Sequence, residues 1–330
     1  DVAQVAGIDC AGAASTGVAF FDADDDRDLD LYVINDGSRN HLFLNDRVGR
    51  YTDATKRFPE LADAGPGLGA LLGHVNEDGE QDLLLLEGKE PPRLFLRTGR
   101  ERFEEDPAFR EAARATGGAV GGLMGDLDLD GDLDLVLLAT DSANGTADRI
   151  FMNRGGGRFD PPVILGAERS GAPQARGALA ADLDGDGMLD LLVARAGAPP
   201  ELWRAPPPVD RHWLEVIPAK SGTGHTMGTD PAALGLAIEV KTGRRLQTAA
   251  IASSSGYLGG VPSRAHFGLG SETRADYIRL TWPDAALQSE LEVPADQRWQ
   301  ITKAARKASS CPVLFAWGGS RFQFITDFLG

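Results

Sequence analysis

The chain is acidic and rich in glycine, with a composition typical of a globular protein. Its 330 residues are 42% hydrophobic, enough to build a core in one large or two ordinary domains. Acidic residues outnumber lysine and arginine by 49 to 33 and no basic stripe is present, which disfavours nucleic acid and anionic membranes as partners. The 41 glycines and 19 prolines predict many turns and few long helices. No apolar run approaches the roughly 20 residues that span a bilayer, so we expect no transmembrane segment.

One motif occurs four times in the first two thirds of the chain, at intervals of 52, 52 and 56 residues. Each copy has an acidic loop followed by an apolar run, and the loops begin at Asp22, His74, Asp126 and Asp182. The apolar runs have the length of buried strands. The copies are FFDADDDRDLDLYVIND (20–36), LGHVNEDGEQDLLLLEG (72–88), MGDLDLDGDLDLVLLAT (124–140) and AADLDGDGMLDLLVARA (180–196).

Each repeat unit predicts about four short strands. Small residues precede the loop, a second apolar run such as NHLFLND (40–46) follows the first, and a glycine-rich turn with an aromatic comes next in the first three units. Four strands in about 50 residues is the period of propeller blades. We therefore predict an all-β fold with four β-propeller blades in residues 1–208, and a helical turn within each of the segments 50–65 and 106–117. The alternative is four unrelated hairpins with similar turns.

The acidic loops have the composition of calcium sites. Alternate positions 1, 3, 5, 7 and 9 converge on one point in a tight loop, and glycine at position 6 permits the sharp bend. Position 7 usually offers its backbone carbonyl, which explains why Met188 is tolerated there. Hard oxygen ligands favour Ca²⁺ over Zn²⁺ and over Mg²⁺, which tends to keep several waters. The predicted metal-ligating residues are Asp22, Asp24, Asp26, Asp28, Asp30, Asn76, Asp78, Glu80, Asp82, Asp126, Asp128, Asp130, Asp132, Asp134, Asp182, Asp184, Asp186, Met188 and Asp190.

The four loops do not match this pattern equally well. Several carboxylates within nine residues repel one another unless a cation neutralises them, although a solvated acidic turn is the alternative. The first loop has Arg27 in place of the glycine. The second loop starts with His74 and lacks a carboxylate at position 1, so whether it binds metal stays open. We expect about three to four calcium ions.

The repeats resemble FG-GAP (VCBS-type) repeats, the blades of integrin-α-like β-propellers. Their loop D-x-D-x-D-G-x-x-D is matched at 126–134 and 182–190, and the resemblance covers about residues 1–208. It implies structural calcium ions that stiffen the loops rather than catalytic ones. Propellers of the integrin type have seven blades. Either further blades precede these four, or the second half completes the ring, or four blades close alone.

The repeat stops at the proline-rich linker RAPPPVD (204–210), and residues 209–305 alternate like half-buried antiparallel strands. The motifs GLAIEV, SGYL, HFGLG, IRLTWP and QRWQIT resemble the ASPIC/UnbV domain of secreted CRTAC-type proteins. The resemblance implies a small β-sandwich-like module without known activity, and the segment 221–233 departs from its usual compact form. Residues 306–330 predict a hairpin with a Gly-Gly turn, the start of a further β segment that we expect to be truncated.

No catalytic motif stands out. The five histidines have no zinc-ligand spacing, and a set such as Ser254, His266 and Asp276 lacks a G-x-S-x-G elbow. We interpret His266 as a packing residue. The glycine-rich segment 65–73 occupies a strand position and lacks the βαβ context of a nucleotide loop. The two cysteines, Cys10 and Cys311, either form one disulfide or are unpaired.

The favoured function is a non-catalytic, calcium-binding scaffold outside the cytoplasm, in the periplasm or at the cell surface. Its partner would be a protein or a glycan, and the chain could be one component of a larger polypeptide or complex. Millimolar extracellular calcium suits sites of modest affinity. One alternative is an enzyme or electron-transfer accessory with a site on the axial face of the propeller. Another is a subunit of a membrane-associated complex.

Overall fold

The protein is all-β, as predicted. The computed structural model describes residues 3–10, 12–26, 28–63, 65–140, 146–165, 174–218, 233–251, 264–304, 313–317, 319 and 322–327. Two short α-helices are found in these ranges, α1 (Ala3–Ala6) and α2 (Pro107–Ala113), together with a 3-10 turn (Pro59–Leu61). The last two lie in the segments where helical turns are expected, and Asp106 caps α2 by accepting the backbone N–H groups of Ala108 and Phe109.

The repeats form four antiparallel sheets of the same topology, in which each strand pairs with the next along the chain. The first three sheets have four strands and the fourth has three. The strands are β1 (Ser15–Phe21), β2 (Asp30–Asn35), β3 (His41–Asn45), β4 (Tyr51–Asp53), β5 (Gly67–Gly73), β6 (Asp82–Glu87), β7 (Arg93–Gly99), β8 (Arg102–Glu105), β9 (Ala119–Gly125), β10 (Asp134–Ala139), β11 (Arg149–Phe151), β12 (Val163–Ile164), β13 (Ala175–Ala181), β14 (Asp190–Arg195) and β15 (Glu201–Trp203).

Successive sheets pack against each other through apolar faces, as blades do. Phe21 of the first sheet shares a core cluster with Leu83 and Phe95 of the second. Corresponding clusters join the second sheet to the third and the third to the fourth. In every unit the acidic loop connects the first strand to the second, so all four loops lie at equivalent places in their sheets.

The described sheets do not close into a ring on their own. Val18 and Phe20 on the outer face of β1 are 62% and 52% exposed. In the second sheet Ala70 and Leu72 occupy the same strand positions, and they lie in the cluster shared with the first sheet. The outer face of the first sheet is therefore open at Val18 and Phe20, while Ile8 and Cys10 cover another part of it. This exposure argues against closure by four blades alone and against closure by the described part of the second half, because both are present and leave Val18 and Phe20 uncovered.

The second half forms a two-sheet sandwich. One sheet has the order β19-β16-β22 and the other β18-β17-β20-β21, and one core cluster that includes Leu214, Ile238 and Ile278 contains residues of both. The strands are β16 (His212–Pro218), β17 (Ala237–Thr242), β18 (Arg245–Ala250), β19 (Ala265–Gly270), β20 (Arg274–Thr281), β21 (Leu287–Pro294) and β22 (Gln297–Ile301). The tail forms the expected hairpin, β23 (Val313–Trp317) paired with β24 (Phe322–Asp327).

Candidate metal centres

The aspartate at position 9 fixes each acidic loop to its own sheet. In the third loop Asp134 accepts the backbone N–H of Leu127 and that of Asn153, both at 2.8 Å. One bond closes the loop on its own start, and the other ties it to Asn153, two residues beyond the third strand of the sheet. The same pair of bonds occurs at Asp30, Asp82 and Asp190. All four aspartates are buried, so these bonds satisfy carboxylates that water does not reach.

Inside each loop, a hydrogen bond at position 5 and a left-handed residue at position 4 recur. The position-5 carboxylate accepts the backbone N–H two residues later, at Asp26, Asp78, Asp130 and Asp186. Position 4 has a left-handed backbone in every loop, with φ of 59° at Asp25, 62° at Glu77, 61° at Leu129 and 87° at Gly185. This bend turns the side chains of positions 1 and 3 towards the same point.

Three of the four loops bring carboxylate oxygens together tightly enough to hold a cation. In each of these groups one oxygen of every member lies within 4.8 Å of the others. Among the described residues the groups are Asp22, Asp24 and Asp30; Asp126, Asp128 and Asp134; and Asp182, Asp184 and Asp186.

The remaining predicted ligands have other partners. Asp28 pairs with Arg47 of its own sheet, and Asp132 pairs with Arg245 at 3.2 Å. The group of the fourth loop contains Asp186 rather than Asp190, which accepts the two backbone bonds described above. Met188 is buried among apolar side chains. Sequence spacing alone does not separate these roles, because all of these residues occupy alternate loop positions.

The donor set fits a hard divalent cation. Burial raises the pKa of Asp134 to about 7 and holds the pKa of Asp126 well above its usual range, with neighbouring carboxylates adding to the second shift. Burial also raises the pKa of Asp24, whose Oδ1 is buried without a hydrogen-bond partner among the described residues. A raised pKa means that the ionised carboxylate is costly at this position. A cation bound among these oxygens would stabilise the ionised form and so lower the pKa again.

The second loop is closed by its own side chains. His74 Nδ1 donates to the backbone carbonyl of Glu80 at 2.9 Å, which joins position 1 to position 7 across the loop. Asn76 Nδ2 donates to Asp78 Oδ2 at 2.8 Å, and Arg97 lies 3.3 Å from Glu80. Burial lowers the pKa of His74, which keeps the ring neutral. The ring thus occupies the place where the other loops have a carboxylate, and the predicted ligands Asn76, Asp78, Glu80 and Asp82 form no cation-sized group in the described structure.

The second half of the chain packs over the third and fourth loops. This contact was not predicted from the sequence. Trp213 packs with Leu129 of the third loop and Met188 of the fourth. The ring of His266 stacks on Trp213 and its Nε2 donates to the carbonyl of Gly187 at 2.8 Å. The backbone N–H of Gly270 bonds the carbonyl of Leu129 at 2.9 Å. The one available signal was an apolar residue at position 4 of the third loop, Leu129, and at position 7 of the fourth, Met188, where the first two loops have acidic residues.

Three arginines of the second half face carboxylates of these two loops. Arg298 Nη2 lies 3.0 Å from Asp182 Oδ2 and also pairs with the buried Glu215. Arg245 bonds Asp132, and Arg211 Nη1 lies 3.2 Å from Asp128 Oδ1. The interface is therefore complementary in charge as well as in shape.

The two described residues of the set considered for catalysis have other partners. His266 uses Nε2 for Gly187, and Asp276 accepts the backbone N–H of Gly243 at 2.7 Å. Ser254 lies outside the described residues. The glycine-rich segment forms strand β5 (Gly67–Gly73), as predicted, rather than a phosphate-binding loop. His266 is the packing residue that the sequence predicts, since it fills the contact between Trp213 and the fourth loop.

Two further predictions concern the cysteines and the membrane. Cys10 forms no disulfide within the described residues, and Cys311 lies outside them, so the pairing of the two cysteines stays open. Within the ranges that the structure covers, no helix has the length and apolarity required to cross a bilayer.

Comparisons with known proteins agree with the two resemblances. A model described as FG-GAP-like repeat matches residues 74–137 and 126–193, and a model described as ASPIC and UnbV matches 226–308. The chain is similar to cartilage acidic protein 1 of Homo sapiens, 27% identical over 79% of this chain and 39% of that protein. The protein of the same name from Xenopus tropicalis is 28% identical over 78% of this chain and 40% of its own length. This chain thus spans about two fifths of these relatives.

A solved structure, the V. cholerae biofilm matrix protein Bap1, matches with a TM-score of 0.32 and 12% identity over 83% of this chain and 47% of that one, too low to establish a common fold. The sheets, the loops and the sequence similarities nevertheless agree with one another. The FG-GAP-like repeat model and the ASPIC and UnbV model thus match successive parts of the chain, the repeat sheets and the sandwich of the second half.

Proposed function

We propose that this chain is a non-catalytic scaffold outside the cytoplasm that calcium stabilises and that binds a protein or glycan partner. The observation that carries the calcium proposal is the convergence of carboxylates in the first, third and fourth loops, each within 4.8 Å. Oxygen-only ligands in flexible loops suit Ca²⁺ and the millimolar concentrations found outside cells. The similarity to cartilage acidic protein 1, although it covers only part of that protein, supports an extracellular location and a binding role.

The proposal assigns three ions to this chain rather than four. His74 replaces the carboxylate of position 1 in the second loop, and its bond to Glu80 closes that loop without a metal. A neutral imidazole is a poor ligand for a hard cation such as Ca²⁺. The predicted number of three to four ions is thereby narrowed to the lower value.

Calorimetric titration of the whole chain with calcium tests this assignment, together with thermal unfolding in calcium and in chelator. We expect three bound ions and a melting temperature that falls on chelation. Asp126→Asn and Asp182→Asn should each remove one ion, whereas His74→Asp should add a fourth by restoring the carboxylate. A melting temperature that does not respond to chelation would contradict the proposal, as would a wild-type chain that binds no calcium.

A further inference from the structure

In the third and fourth loops, residues that form the bend around the carboxylates also accept hydrogen bonds from the second half of the chain. Leu129, at position 4, is fully buried with a left-handed φ of 61°, and its carbonyl accepts the N–H of Gly270. Gly187, at position 6, has φ of 92° and its carbonyl accepts His266 Nε2. These two residues form the bends that bring the carboxylates together. The second half thus holds the part of each loop that determines its cation-binding shape.

Leu129 is an unfavourable residue for its conformation. Left-handed backbone is disfavoured for L-residues with bulky side chains, and glycine, Asn and Asp tolerate it best. In the uncovered first loop the equivalent residue is Asp25, which is exposed and suited to that backbone. Leu129 is held in place by Trp213 and by Gly268, whose lack of a Cβ leaves room for Asp126 and Leu129. An undocked third loop would therefore lose the contacts that compensate for its strained residue.

We propose that docking of the second half on the third and fourth loops and cation binding by these loops are positively coupled. The docked domain holds both loops in the cation-binding bend, and a bound cation in turn stabilises the docked arrangement, because thermodynamic coupling is reciprocal. This inference rests on the proposed calcium binding and adds to it a regulation of the joint between the two halves. The first loop, which the second half does not cover, binds its cation independently.

The arginines act in the opposite direction but more weakly. Arg298 and Arg211 place positive charge beside Asp182 and Asp128, which disfavours a cation at the same carboxylates. The Arg298 side chain is 41% exposed and that of Arg211 is 35% exposed, so solvent partly screens their charge. The contacts of Leu129 with Trp213 are buried and act directly on the loop backbone. The sign of the coupling is therefore set by the docked backbone rather than by the arginines.

Two substitutions in the whole chain separate docking from the intrinsic properties of the loops. Trp213→Ala removes the side chain that joins Leu129 to Met188, and Trp213 lies outside the core cluster of the second half, so that core is preserved. Leu129→Gly removes the docking contact but places the residue that best tolerates left-handed backbone at that position. The matched control is Asp25→Gly, the same change at position 4 of the uncovered loop.

Calorimetric titration with calcium provides the measurement. We expect Trp213→Ala to weaken two of the three sites at least about fivefold, the lower end of typical allosteric couplings, and Leu129→Gly to weaken at least the site in the third loop. Asp25→Gly should leave the affinities of the third and fourth loops unchanged, because it lies in the loop that the second half does not cover. Unchanged or tighter binding in either docking variant overturns the coupling while the calcium scaffold stands. A wild-type chain that binds no calcium overturns both.

Discussion

The first and third loops carry aspartates at the same positions, yet their surroundings differ. In the first loop Asp25 is exposed and Asp28 pairs with Arg47 of the same sheet. In the third loop Leu129 is fully buried and Asp132 pairs with Arg245 of the second half. Position 4 thus differs in residue type, whereas position 7 is aspartate in both loops and differs only in its arginine partner. This difference teaches that one loop motif can serve as a local site in one repeat and as part of a domain joint in another.

Gly187→Ala is the substitution with the largest expected effect on this contrast. A Cβ at Gly187 would collide with the indole of Trp213, and the residue has φ of 92°. We expect a loss of about 3 kcal/mol or more in the free energy of unfolding, because overpacking adds to backbone strain. Chemical denaturation measures it.

The matched control for that prediction is Gly185→Ala in the same loop. Gly185 also has a left-handed φ, of 87°, but a Cβ there would meet nothing within 4 Å. The free energy of unfolding should fall only by the cost of left-handed backbone at an alanine, about 1 kcal/mol. Equal losses for the two variants would show that Trp213 does not rest on the fourth loop in solution.

Buried carboxylates in the loops and in the strands should both make the stability of the protein depend on pH, and calcium should affect only those in metal-binding loops. Burial raises the pKa of Glu87, at the end of β6, to about 7, and raises those of Asp82 and Asp134 to about 7. A raised folded-state pKa contributes stability that is present below about pH 4 and is lost as the pH rises through 7. Calcium-free protein should therefore become less stable between pH 4 and pH 7.

Glu87→Gln removes the part of this dependence that calcium does not affect. We expect the variant to gain stability relative to wild type at pH 8, on the order of 2 kcal/mol, and to show a flatter profile. Saturating calcium should abolish the contribution of Asp134 in both proteins. Thermal unfolding over this pH range gives the comparison, and an identical slope in wild type and Glu87→Gln would contradict the role of the buried Glu87.

The arginine partners of position 7 give the smallest effect. Arg245→Ala leaves Asp132, which is 3% exposed, without its arginine, and we expect a loss of about 1 kcal/mol in the free energy of unfolding. Arg47→Ala breaks the exposed pair with Asp28 in the first loop and should cause no measurable loss. Urea denaturation in calcium-free buffer measures both. A larger loss for Arg47→Ala than for Arg245→Ala would contradict the conclusion that the second half contacts Asp132 of the third loop in solution.

The sheets were predictable because their information is local and repeated. The runs after Asp30, Asp82, Asp134 and Asp190 have the length of buried strands, and the period of about 50 residues places four of them in equivalent positions. Each strand pairs with its neighbour in sequence. The sandwich of the second half was predictable for a related reason, since alternating polar and apolar residues determine which face of a strand is buried.

The joint between the halves was not predictable, because its contacts connect residues far apart in sequence. Gly187 and His266 are 79 residues apart and Arg298 and Asp182 are 116 apart, and no periodic pattern relates them. The tolerated Met188 was explained through its backbone carbonyl, whereas its side chain has a packing role of its own. Whether the second loop binds metal could not be decided from sequence either, because the hydrogen bond between His74 and Glu80 depends on the folded shape of the loop.

The aspartate at position 9 has a consequence for how such repeats diverge. Its two backbone bonds complete each loop from within one sheet, and they are present in the second loop, where Asp82 keeps them although position 1 holds His74. A single substitution at position 1 should therefore remove or restore a proposed cation site while the blade keeps its shape. The number of such sites can then differ between repeats of one array without any change in how the strands pair.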